Sequence, residues 1–120
     1  MNSGEEPLKA KTIDWRGSSL EDLKAFPEET RAIAGKELRK VQFGEDPSDF
    51  KPVNDWGPGV IEIRIDGEGN TYRVVYVAKF SECIYILHSF VKKTRSTSRK
   101  EVNIIKDRYR EVVNERRTNK

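Results

Sequence analysis

Cysteine is almost missing: Cys83 is the only one in 120 residues, so no internal disulfide can staple the chain and the fold must hold by packing. A lone thiol fits a reducing compartment. Histidine is equally scarce, and His88 with Cys83 cannot assemble the usual zinc set, so neither a metal nor a cofactor is expected. No apolar run approaches the roughly 20 residues that span a bilayer. The opening MNSGEEPLKAK lacks the apolar stretch of a secretion signal, so the expected setting is cytoplasmic, with no membrane partner. There is no GxxxxGK phosphate loop and no GxSxG nucleophile elbow. Asp66-x-Glu68-x-Asn70 opens like a calcium loop, but Thr71 and Val77 stand where that loop needs Gly and Glu. Its DGEGN sequence is the chemistry of a hairpin turn.

Charge is plentiful. Charged residues make up 36% of the chain, with 23 Lys and Arg against 20 Asp and Glu, which leaves room for one thin core and a net charge of +3. The sequence is therefore taken as one domain, residues 1–120. The balance alone does not demand nucleic acid, but the cations are unevenly placed. From Lys92 onward the chain is rich in Lys and Arg, whereas acids cluster earlier, as in Glu21–Asp22, Glu28–Glu29 and Glu45–Asp46.

Alternation and helical periodicity predict the order β-α-α-β-β-β-α. Leu8–Trp15 alternates as a strand and ends at Gly17. Ser18 or Ser19 caps a short helix carrying Leu20, Leu23 and Phe26, and Pro27 breaks it before a second helix over Glu28–Phe43. Gly44 closes that helix. Glu45–Gly59, with three prolines, is predicted as loop anchored by Phe50, Val53 and Trp56. Three antiparallel strands follow: Val60–Ile65, Tyr72–Phe80 and Cys83–Lys92. In the last of these, alternation puts Ile84, Ile86, His88, Phe90 and Lys92 on one face. Thr97 or Ser98 caps a final helix, about Arg99–Arg117, with Val102, Ile105, Tyr109 and Val112 on its apolar stripe. The fold class is α+β, with two N-terminal helices and a C-terminal helix on a small antiparallel sheet. The helices are expected to cover one face and leave the other partly open.

The strands and the tip after them bring Arg64, Arg73, Lys79, His88, Lys92, Lys93 and Arg95 into a small region. Singly, Arg64 and Arg73 suit cross-strand pairing with Glu62 or Asp66. Taken with the lysines, a phosphate-binding groove stands beside that pairing as an equal reading, since Arg offers bidentate contacts and Lys a point charge. Tyr72, Tyr76, Phe80, Tyr85 and Phe90 lie among them, and either pack in the core or stack unpaired bases. His88 is either a hydrogen-bonded sheet residue or a proton-transfer group.

The run GSSLEDLKAFPEETRAIAGKEL, then Gly59–Arg64 (GVIEIR), Tyr72–Tyr76 (YRVVY) and Leu87–Thr94 (LHSFVKKT) resembles the phage-derived HigB-like toxins of the RelE/ParE superfamily. The similarity extends over about residues 8 to 113. It implies a microbial-RNase-like α+β fold and an mRNA endoribonuclease of a type II toxin–antitoxin system, acting on the ribosome. The implied reaction is metal-free attack of a ribose 2′-OH on the adjacent phosphodiester. By that resemblance Arg64 and Arg73 bind phosphate, Lys92 or Lys93 stabilises developing charge, and His88 transfers a proton. Lys79, Arg95 and Phe90 are then RNA-binding residues. The implied partners are mRNA, the ribosome and an antitoxin of helix-turn-helix type. The chain departs from some relatives in ending VVNERRTNK, with neither Tyr nor His, so any acid/base role falls on His88 or catalysis is mostly electrostatic. Two other readings stay open on the same fold: a non-enzymatic ParE-like inhibitor of a DNA topoisomerase, and an inactive remnant that binds only its antitoxin.

Overall fold

The computed structural model of the chain describes residues 9–67 and 69–118. Its elements are β1 (Thr12–Trp15), α1 (Ser19–Lys24), α2 (Glu28–Gln42), β2 (Phe50–Pro52), β3 (Val60–Gly67), β4 (Asn70–Val77), β5 (Cys83–Lys92) and α3 (Arg99–Thr118), with one 3₁₀ turn at Asn54–Trp56. The fold is α+β, as the patterning predicts. Of the first predicted strand, Leu8 lies outside the described residues, as does Glu68 in the hairpin turn.

The five strands lie in the order β1-β5-β4-β3-β2. β3, β4 and β5 form the antiparallel meander expected from their alternation. Gly67 pairs with Asn70, so the first hairpin turns over two residues, and Gly69 supplies the positive φ of 77° that such turns need. The sheet is mixed rather than purely antiparallel, because β1 pairs parallel to β5, Thr12 opposite Cys83 through Trp15 opposite Ile86. A strand's own periodicity carries no information about the direction of its neighbour. β2 lies within the stretch predicted as loop. It has three residues and pairs with β3 at the other edge, where Pro52 is tolerated opposite Ile61.

Helices cover both faces of the sheet, not one. On the first face, Leu23 of α1, Phe26 in the turn after it, and Ala34, Leu38 and Val41 of α2 pack on Ile63, Ile65, Val74, Tyr76, Ile84 and Ile86. On the second face, Ile105 and Val112 of α3 pack on Val60, Val75, Val77, Tyr85 and Leu87. Each of these fully buried aliphatic side chains contributes roughly 1.5–3 kcal/mol relative to exposure. The helix ends follow the sequence. Gly44 adopts φ 83° just beyond α2, and the Ser98 hydroxyl accepts the Glu101 backbone N–H at 3.3 Å to cap α3. No helix among the described residues is long and apolar enough to cross a membrane.

One irregularity decides where the site residues point. Tyr76 pairs with Ile86, but Val75 pairs with His88, so Leu87 is an extra residue in β5, a β-bulge. A bulge shifts the alternation by one. Ile84 and Ile86 therefore face α1 and α2, whereas His88, Phe90 and Lys92 turn to the α3 face. This corrects the uniform face expected for β5.

Candidate functional site

Beyond the bulge, the α3 face of the sheet carries a polar row across three strands. Arg64 on β3 stands opposite Arg73 on β4, which stands opposite Phe90 on β5. The adjacent row is Glu62, Val75 and His88, and the row on the other side is Asp66, Thr71 and Lys92. Register alone thus assembles Arg64, Arg73, His88, Phe90 and Lys92. Lys93 and Arg95 follow β5 as exposed residues. Lys79 does not join them. β4 ends at Val77, and Lys79 sits at the opposite end of the sheet, where its Nζ donates to the Tyr109 hydroxyl at 3.1 Å.

These cations are not equivalent. Arg64 is exposed, and its Nε donates to Asp49 at 3.1 Å, leaving its two terminal nitrogens without a hydrogen bond to any described residue. That is the geometry for clamping an anion from solvent. Arg73 is only 7% exposed and lies against Glu62, itself 4% exposed, with Nε 3.4 Å from Oε2. The contact is an ion pair without hydrogen-bond geometry, since neither atom has a hydrogen-bonding partner among the described residues. One Arg73 terminal nitrogen donates to the Tyr72 carbonyl at 3.3 Å. The direct phosphate contact expected of Arg73 is therefore blocked by burial, and the cross-strand pairing with Glu62 is the one that forms.

His88 is buried as well, stacked on Phe90 with ring centroids 4.9 Å apart. Its Nε2 lies 2.6 Å from the Glu101 carboxylate of α3, and its Nδ1 lies 3.5 Å from the Arg108 guanidinium. This pairing selects the neutral tautomer that donates from Nε2 and accepts at Nδ1. Burial lowers the His88 pKa, and the nearby Arg108 charge lowers it further, against the opposing pull of Glu101. Neither ring nitrogen is left for a substrate, so the proton-transfer role expected of His88 has no open atom to act through. Phe90 is 7% exposed, and its stacking partner is His88 rather than a free base. Tyr72 and Tyr76 belong to the core under α1 and α2.

Arg108 ties the site to the rest of the fold. One terminal nitrogen donates to the Leu87 carbonyl at 2.8 Å, at the bulge, and the other to the Ser18 hydroxyl at 3.2 Å. Ser18 in turn donates to Asp22 at 2.8 Å. The guanidinium fits because residue 17 is glycine, with φ 53°, where an added Cβ would sit 2.5 Å from it. Sequence reasoning missed both Glu101 and Arg108. The signal was there: at positions 101, 105, 108 and 112, two charged residues occupy the apolar stripe that holds Ile105 and Val112.

Two shallow clefts open beside this network. One, of about 310 Å³, is lined by Phe90, Lys92, Lys93, Ser98 and Glu101. The other, of about 340 Å³, reaches Ser18, Asp22, His88, Phe90, Lys100 and Glu101. No group of three potential metal ligands occurs among the described residues.

The comparison with known families matches residues 21–110 to a family described as phage derived protein Gp49-like (DUF891). The chain belongs to the Gp49-like family. The matched span includes β2 through β5 and every residue of the Arg64–Arg73–His88–Lys92 face, together with Glu101 and Arg108. Gp49-like proteins fall broadly within the RelE/HigB-like toxin group. No curated protein matches this Gp49-like chain.

Proposed function

We propose that this Gp49-like protein is the toxin of a type II toxin–antitoxin pair and that it cuts mRNA on the ribosome. The observation that carries the reading is the bulge at Leu87. It turns Lys92 onto the same face of the sheet as Arg64, in the neighbouring row of the ladder. In the proposed reaction a ribose 2′ oxygen bonds to phosphorus, the bond from phosphorus to the 5′ oxygen breaks, and a 2′,3′-cyclic phosphate and a 5′ hydroxyl result. Arg64 grips the phosphate with its free terminal nitrogens, and Lys92 meets the charge that develops on the phosphoryl oxygens. Lys93 and Arg95 follow the backbone from the exposed tip. Arg73 and His88 act as positioning residues, Arg73 from beneath with Glu62 and His88 through Glu101. Proton transfer is left to solvent, and catalysis is mostly electrostatic. An antitoxin of helix-turn-helix type silences the toxin by masking this face.

The occupied nitrogens of His88 favour a second reading, in which the same face binds without cutting, as an inhibitor of a DNA topoisomerase. Induced expression in bacteria followed by primer extension on cellular mRNAs separates the two. New 5′ ends inside coding regions, absent with Arg64→Ala, support cleavage. Growth arrest with intact mRNA moves the assignment to the inhibitor, and no arrest at all to an inactive remnant.

A further inference from the structure

A second groove lies along the side of α3, away from the His88 network. Lys106, Tyr109, Arg110, Val113, Arg116 and Arg117 recur at spacings of three and one, which puts them on one stripe of the helix. The stripe faces two clefts that share Val113. One, of about 460 Å³, lies against the Trp56–Pro58 turn, and the other, of about 630 Å³, against Phe80 and Tyr85. From Lys106 to Arg117 is 117 − 106 = 11 residues, about 16 Å of helix.

The walls are set in advance. Tyr109 donates to the Pro58 carbonyl at 2.8 Å and accepts from Lys79 at 3.1 Å. Its ring lies against Gly57, where a Cβ would stand 2.8 Å away. The Arg116 guanidinium sits 3.9 Å above the Phe80 ring and donates to the Tyr85 hydroxyl and to Glu82, each at 2.9 Å. Held rings and held cations lower the entropy lost on binding. The charge at the rim is unbalanced. Glu82 is engaged by Arg116, and Glu115 by Arg16, whereas Lys106 and Arg117 are exposed without a carboxylate partner among the described residues.

We propose that this groove is a docking site for an acidic amphipathic helix of a partner protein. Trp56, Tyr109, Val113 and Phe80 give apolar footing for one face of such a helix, and Lys79, Lys106 and Arg117 meet acids on its flanks. A nucleic-acid strand would meet the same cations, and the RNA probe below separates it from a helix. The groove involves none of the Arg64–Lys92 face, so it stands whether or not that face cuts RNA.

The test is fluorescence anisotropy on the full chain with three labelled probes. The first is a peptide of about four helical turns, about 14 residues, with Leu and Trp spaced i, i+3, i+4, i+7 and Glu elsewhere. The second is the same composition scrambled, and the third a single-stranded RNA of about 12 nucleotides, close to the site size of one binding fold. The patterned peptide is expected to bind at least about tenfold tighter than the scrambled one, and the exposed double variant Lys106→Glu/Arg117→Glu to lose at least about tenfold. Arg64→Ala should bind it as the parent does. Equal affinity for the scrambled peptide, no effect of the double variant, or no binding of the patterned peptide overturns the proposal. So does tighter binding of the RNA that is lost with the same double variant.

Discussion

Arg108→Met removes the donor that satisfies the bulge while keeping most of the side-chain volume. The Leu87 carbonyl, bonded at 2.8 Å by a charged donor, loses its partner, and Ser18 loses its contact to α3. A hydrogen bond from a charged group contributes about 1.5–3 kcal/mol, and because Arg108 is half-buried, water replaces part of it, leaving about 1–2 kcal/mol. For a chain of 120 residues that is a fall in Tm of roughly 4–8 °C, read by circular dichroism. A second readout is independent of stability. Arg108 is one of the charges that hold the His88 pKa down, so its removal moves that pKa upward. His88 is the only histidine, and its ring proton signals in an NMR titration report it without assignment. An unchanged Tm together with an unchanged His88 titration would refute the claim that Arg108 braces the bulge.

Gly17→Ala should reproduce the same loss, because its Cβ would displace the Arg108 guanidinium and the positive φ adds about 1–2 kcal/mol of strain; combined with Arg108→Met the two effects should fall short of additive in denaturant melts. Breaking the buried pair by Arg73→Ala strands Glu62 and should destabilise by about 3–5 kcal/mol in urea titration, whereas Arg73→Met with Glu62→Leu should be near neutral or stabilising. Loss of toxicity with Arg73→Ala therefore reports folding as much as chemistry, and Arg64→Ala is the cleaner probe. His88 has a folded pKa below its unfolded one, so the unfolded chain takes the proton first. Its contribution to stability is complete above the ordinary histidine range, near pH 6.5, and is lost as pH falls toward the depressed folded value. His88→Gln should flatten that limb in melts taken across acidic pH.

Much of the fold was legible. Alternation in Ile61–Ile65 and Tyr72–Val77 set the meander, and Pro27, Gly44 and Ser98 marked helix ends that the structure keeps. The second core ran against the expectation of one open face, although Val75 and Val77 alternate with the first face and need a cover, which α3 supplies. What stayed hidden was whatever depends on partners distant in sequence. The parallel docking of β1, the three-residue β2 and the bulge at Leu87 have no local mark, and the bulge carries no glycine. The candidate site was legible as a set of residue types in neighbouring strands. The division of labour within it was not, since only packing shows that Arg73 is submerged, that His88 has no free nitrogen, and that Lys79 belongs to another end of the molecule.

The extra residue in β5 makes that strand a sequence with two phases, so the face a side chain takes is set by its pairing with β4 and not by counting along the letters. Deleting Leu87 would restore a single phase with Lys92 still on the α3 face, because His88 would follow Ile86 directly and keep its place opposite Val75, whereas a ladder that absorbed Leu87 into regular alternation would swing Lys92 toward the aliphatic layer under α1 and α2. A related chain that keeps those letters but lacks the added residue would thus present the same surface from a regular strand.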